Sequence, residues 1–262
     1  MKQTLYQIDA FTDSTFGGNP AAVCILNEWL EDSLMQKIAL ENNLSETAFA
    51  VKKNGLYEIR WFTPTVEIDL CGHATLATAF VLFRYFETDK KIIELISHRS
   101  GTLKVTLENT GKLTLDFPID VPKITDENLA LNNAIGKTPK KSFKSTFDYM
   151  LVYDSQKEIE SIQPDLNALS KIETRGVIVT SPGKNVDFVS RYFAPASGID
   201  EDPVTGSAHC TLTPYWKERL NKENLTAKQV SKRGGELSCK LKEDRVYISG
   251  KCVLYMIGEI YL

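Results

Sequence analysis

Apolar and polar residues alternate along much of this chain, and that two-residue period predicts strands. Leu5–Phe11 and Ala21–Leu26 come first. A helix is predicted over Ser33–Asn42, where Leu34, Ile38 and Leu40 are the apolar positions and Asp32 or Ser33 is placed to cap it. Thr47–Val51 and Tyr57–Phe62 return to strand. Ile92–Ile96, Thr102–Leu107 and Leu113–Phe117 make a meander, turned at Ser100-Gly101 and at Asn109-Thr110-Gly111. From Pro118 to Pro139 the chain turns polar, with a weak helix over Glu127–Ile135, and this stretch is the candidate domain crossing. Strands resume at Tyr149–Tyr153, Val177–Thr180, Val186–Phe193, Glu236–Leu241, Arg245–Ser249 and Val253–Tyr261.

Two segments break the alternation. After Gly72-His73 the chain reads ATLATAFVLF, without a charge until Arg84. After Gly206-Ser207 it reads AHCTLTPYW, without a charge until Lys217. A helix that lacks a polar stripe is buried on every side. Helices are therefore predicted from Gly72 to about Phe86 and from near Gly206, each at the centre of a wrapped sheet. Pro214 is expected to kink or end the second one.

The same two places carry an internal repeat. FTPTVEIDLCGHAT begins at Phe62, and FAPASGIDEDPVTGSAH begins at Phe193. Phe, Pro, Ile and Asp recur in order, half a chain apart. Duplication predicts two related domains, each wrapping its strands around one central helix. The expected domains are residues 1–118 and 119–262, with the last strand, about 252–262, packed back on the first. Two helix starts would then face one cleft.

Composition narrows the function. The chain has 262 residues, is 42% hydrophobic and 25% charged, and carries a net charge of −3. That balance gives no basic field for nucleic acid or anionic membrane. Lys90-Lys91, Lys140-Lys141 and Lys232-Arg233 are read as solvated surface. No apolar run approaches the ~20 residues of a membrane span, and the chain opens on a strand without a leader, so a cytoplasmic protein is expected. Five cysteines without a Cys-x-x-Cys argue for reduced thiols. Neither metal-ligand spacing, a Gly-x-Gly-x-x-Gly, a P-loop nor a Schiff-base lysine signature occurs, so no metal and no cofactor is expected.

The chemistry gathers at the helix starts. Unpaired N–H groups there attract anions, and Gly72 and Gly206 let a ligand come close to the backbone. Together they could hold a carboxylate and an enolate-like oxygen, which suits proton abstraction beside a carbonyl. His73, in the first turn, is expected to be neutral beside the positive helix end. Glu46, between a helix and a strand, is a candidate general base raised by partial burial. Asp202 precedes the second start and either caps it or points at substrate; Ser207 offers a hydroxyl. His98 is read as surface and His209 as a packed neighbour.

Taken together, IDAFTDSTFGGNPAAVC (8–24), NLSETAF (43–49), RWFTPTVEIDLCGHATLATA (60–79) and RYFAPASGIDEDPVTGSAHC (191–210) resemble the PhzF, phenazine-biosynthesis-like family. The resemblance implies a diaminopimelate-epimerase-like α+β fold of two pseudo-symmetric domains, each an antiparallel β-sheet or barrel around a central helix, with Glu46 as acid/base, assistance from Gly72 and His73, Asp202 and Ser207 in the site, and a homodimer. The related epimerases place a cysteine before each helix-start glycine. Here Cys71 precedes Gly72, but Thr205 precedes Gly206. The expected function is thus an isomerase of a small carboxylate-bearing carbon acid, with Cys71 lining the site. An epimerase or racemase using Cys71, or a non-catalytic ligand-binding protein, remains open.

Overall fold

The computed structural model describes residues 2–262. The chain divides into two compact units, Met1–Asp116 with Ile248–Leu262, and Phe117–Tyr247. Among the described residues no helix is long and apolar enough to cross a membrane.

The first unit runs β1 (Lys2–Ala10), β2 (Asn19–Leu26), α1 (Asp32–Asn42), β3 (Glu46–Lys53), β4 (Leu56–Phe62), the short β5 (Glu67–Ile68), α2 (Gly72–Tyr85), β6 (Ile92–Ser97), β7 (Gly101–Leu107) and β8 (Leu113–Pro118). Most neighbours are antiparallel, but β2–β3 and β4–β6 are parallel. Parallel neighbours need a crossover, and α1 and α2 provide the two. β3 is buried on both faces from Glu46 to Val51, as a strand covered by helices must be. α1 lays Met35 and Ile38 against Phe49 and Phe62. Its expected cap is not used: Glu31 is the N-cap residue without a side-chain bond, and Asp32 instead accepts from Arg60 at 2.7 Å.

α2 is buried from Gly72 through Ala79 and again at Val81, Leu82 and Phe83. Its two threonines are satisfied inside the helix. Thr75 donates its hydroxyl to the Cys71 carbonyl, and Thr78 donates to the Ala74 carbonyl at 2.8 Å. The buried turns of the helix thus leave neither threonine hydroxyl unmet.

The second unit runs β9 (Lys123–Ile124), α3 (Leu129–Ile135), β10 (Lys141–Lys144), β11 (Asp148–Val152), α4 (Gln156–Ser161), α5 (Leu166–Leu169), β12 (Gly176–Pro182), β13 (Phe188–Ala194), β14 (Ile199–Asp202), α6 (Gly206–Leu220), β15 (Asn224–Gln229) and β16 (Gly235–Lys242), and the chain passes back to the first unit within β17 (Arg245–Gly250). The order repeats the first unit. β11–β12 and β13–β15 are parallel, bridged by α4–α5 and by α6, while β12–β13 and β15–β16 are antiparallel. The closing strand β18 (Cys252–Tyr261) pairs antiparallel with β1 and leaves Tyr255, Met256, Ile257 and Tyr261 exposed.

Pro214 does not end its helix; α6 continues to Leu220. The carbonyl of Cys210, four residues back, has no amide hydrogen to accept from proline. It accepts from the Asp120 backbone N–H at 3.2 Å instead. An external donor makes the proline tolerable.

Candidate active site

In the first unit, Glu46 is the first residue of β3, paired with Ala21 of β2, and only 5% exposed. His73 is the second residue of α2 and is 3% exposed. The crossover brings their side chains together, with His73 Nε2 3.0 Å from Glu46 Oε2. This is an ion-pair distance without the alignment of a directed hydrogen bond. Neither atom has another hydrogen-bond partner among the described residues. Buried polar atoms left in that state are rare and costly, by about 1–3 kcal/mol each, unless a ligand serves them.

Nδ1 of the same ring has two neighbours. Cys71 Sγ lies at 3.4 Å and the Asn19 amide nitrogen at 3.1 Å. Cys71 is the N-cap residue of α2 and makes no side-chain capping bond. Asn19 opens β2 after a tight approach at Gly18, whose φ is +62° and where a Cβ would stand 2.1 Å from the Ala10 carbonyl oxygen. Only glycine fits there, and it delivers Asn19 to the imidazole.

Electrostatics overturn one expectation. Burial alone would lower the pKa of His73, but the adjoining Cys71 and the Glu46 carboxylate outweigh it and set it well above histidine's ordinary value. The Cys71 thiol is pushed up to about 11 by burial and then by Glu46, so it is uncharged near neutrality. The direction is opposite to the one expected from the helix start alone, because a carboxylate at 3.0 Å acts more strongly than half a charge at a helix end.

The second unit presents a different helix start. Thr205 is the N-cap of α6, again without a side-chain capping bond, and its hydroxyl donates to the Asp202 carboxylate. Gln229 of β15 is fully buried and ties the turn together. It accepts from the Thr205 N–H at 2.9 Å and donates to the Asp202 carbonyl at 2.7 Å. His209 Nδ1 donates to the Thr205 carbonyl at 2.8 Å, and its ring lies against Phe188. Burial depresses its pKa to about 4, so it is neutral. Ser207 is half-buried, and its hydroxyl makes no hydrogen bond to another described residue.

Of the residues expected from sequence, Glu46, Gly72 and His73 meet in the first unit, and Asp202, Gly206 and Ser207 meet in the second. His98 is 55% exposed, as read. Asn19 and Gln229 were not singled out. Both are polar residues at strand ends within otherwise buried positions, and the only trace of Gln229 is the alternation of Leu225, Ala227 and Gln229.

The phenazine biosynthesis-like family profile (PhzC-PhzF) matches residues 8–258. An uncharacterized isomerase of Pseudomonas aeruginosa is 50% identical over 262 residues, covering 100% of both chains. A phenazine biosynthesis-like domain-containing protein of Bos taurus is 40% identical over 99% of each chain. Among solved structures, a PhzF-family protein of Enterococcus faecalis superposes with a TM-score of 0.96 at 48% identity, covering 100% of both chains. Relatives that carry the name isomerase support the isomerase class in general.

Proposed function

The chain belongs to the phenazine biosynthesis-like family, and on that premise we propose that it is a cofactor-independent isomerase of a small carboxylate-bearing carbon acid. Glu46 removes a proton from a carbon beside a carboxylate or double bond and returns it elsewhere on the same substrate. His73 stays protonated beside it and lends positive charge to the anion that forms. The backbone N–H groups at Gly72 and Gly206 receive anionic oxygens, Ser207 contributes its hydroxyl, and Asp202 orients a polar substituent. The observation that carries this reading is the buried Glu46–His73 contact, whose two facing atoms lack any directed partner.

A proton-exchange screen by NMR in D2O, across small unsaturated and α-substituted acids, tests the reading. Wash-in of deuterium at a carbon position is expected. Ligands that raise the melting temperature yet never exchange a proton would point to a binding protein instead.

A second reading has its own observation, the 3.4 Å contact between Cys71 and His73. A thiol activated by an imidazole could serve an epimerase or racemase. Thr205, at the matching place in the second unit, is too weak a base to complete a two-thiol pair. Iodoacetamide separates the readings: inactivation at Cys71 that substrate prevents favours the epimerase, and full turnover after alkylation excludes it. A homodimer belongs to the same proposal, and sedimentation at the 29.4 kDa of a single chain would reject it.

A further inference from the structure

The helix start of the first unit gathers three side chains that differ in chemistry but share one property. Cys71, His73 and Glu46 each offer an atom that binds transition metals, and these atoms lie within 4.8 Å of one another. Among the described residues this is the one such group. Cys24, Cys210, Cys239 and Cys252 are free thiols outside it. No linear motif announces the trio, because Glu46 arrives from β3 and the other two from the start of α2.

We propose that Cys71, His73 and Glu46 form a binding site for a thiophilic divalent cation of the Zn2+ class, which occupies the acid/base pair and blocks it. Thiolate, imidazole and carboxylate are the ligand types that Zn2+ and Co2+ accept in four-coordinate sites. Bonds of ~2.0–2.3 Å at tetrahedral angles place neighbouring ligand atoms about 3.3–3.6 Å apart. Cys71 Sγ lies 3.4 Å from His73 Nδ1 and Glu46 Oε2 lies 3.0 Å from His73 Nε2, so the two partners flank opposite nitrogens of one ring. A single ion uses one ring nitrogen, and with one nitrogen counted the three ligand atoms lie within 4.8 Å of one another. Charge also balances: one thiolate and one carboxylate neutralise a dication, which a buried site requires. The Glu46 and His73 atoms that face each other without a directed partner would each gain one. The fourth position is left for a water molecule or an anion carried in with the ion.

The binding step is an exchange of metal for proton. The Cys71 thiol gives up its proton to solvent as the sulfur–metal bond forms, and His73 gives up its own if it carries one. No electron moves. Bound metal and a working Glu46 exclude each other, so the ion is an inhibitor rather than a cofactor. The site shares residues with the proposed isomerase centre, but its test needs no substrate, so either reading can fail alone.

Cobalt substitution reads the site directly. Co2+ added to the full, reduced chain is expected to give a thiolate-to-metal charge-transfer band in the near ultraviolet and visible bands of four-coordinate intensity. Cys71→Ser should remove the charge-transfer band, while Cys252→Ser should keep it. Glu46→Gln should weaken Co2+ binding at least ten-fold. Circular dichroism and melting temperature confirm that each variant is folded; if Cys71→Ser is not, Cys71→Ala takes its place. A Co2+ spectrum with octahedral intensity and no sulfur band, or a sulfur band that survives loss of Cys71, would overturn the proposal.

Discussion

The two units repeat one plan and then diverge at the positions where chemistry is possible. In the first, Thr47 faces Phe62 across the β3–β4 hairpin; in the second, Val177 faces Phe193 across β12–β13. One residue back stand Glu46 and Gly176. Their parallel partners are Ala21 and Asp148. At the helix starts, Cys71-Gly72-His73 corresponds to Thr205-Gly206-Ser207.

The second unit fills its version of the site with structure. A Cβ on Gly176 would lie 2.2 Å from the Tyr192 hydroxyl, so the ring occupies the space a side chain would take. That hydroxyl donates to fully buried Asp148 at 3.0 Å, and Arg175 forms an ion pair with the same carboxylate. Here the buried charge has every partner it needs. Glu46 is buried to a similar degree, yet faces the His73 ring at 3.0 Å without a directed bond. A satisfied carboxylate holds a fold, and an unsatisfied one is available for a substrate. The plan recurs in both units, and only the first places a glutamate at this strand position.

The harshest way to break this comparison is to move the acid. The double variant Glu46→Gly with Gly176→Glu should lose the ~10²–10⁴-fold expected from removing a general base, measured as deuterium exchange. Recovery to near wild-type rate would mean the two positions are interchangeable. Gly176→Ala alone should destabilise by about 1–3 kcal/mol in urea unfolding, because the new methyl meets Tyr192.

Acid separates the two histidines. His209 has a folded-state pKa depressed from 6.5 to about 4. Its stabilisation is therefore complete above pH 6.5 and is lost as pH falls toward 4, by about 3 kcal/mol. The opposite sign applies to His73, whose raised pKa gives stabilisation that is full below pH 6.5 and lost as pH climbs through the folded value. Unfolding free energies at pH 7 and pH 4 should thus differ less in His209→Gln than in the native chain. An unchanged pH slope would remove His209 from the account.

Gln229→Ala should cost about 2 kcal/mol, because the Thr205 N–H and the Asp202 carbonyl lose their partner in a buried turn. The smallest effect is expected at Cys71. Under the isomerase reading Cys71→Ser costs less than about tenfold in metal-free buffer, well short of the ~10²–10⁴-fold for a lost base. A larger loss would favour the thiol-based epimerase.

Much of this was legible in the chain because the helices announce themselves. Ten residues without a charge after His73 can only be a buried helix, and the repeat of Phe-x-Pro around Ile-Asp marks its twin. Glu46 stood out as a carboxylate among small and apolar neighbours. What could not be read is pairwise. The sign of the His73 shift depends on an anion 27 positions away in sequence, and helix position alone gave the wrong direction. Pro214 was judged by local rules, whereas Asp120, 94 positions earlier, supplies the donor that rescues its helix. Asn19 and Gln229 hide because a polar residue at a strand end looks exposed until another element covers it.

The central claim is that one carboxylate, Glu46, moves the proton. Deuterium incorporation into an accepted acid, followed by NMR in metal-free D2O for the native chain and Glu46→Gln, tests it most directly. The account predicts exchange in the native protein and a loss of at least about a hundredfold in a folded Glu46→Gln variant. Equal exchange in the two proteins would contradict it.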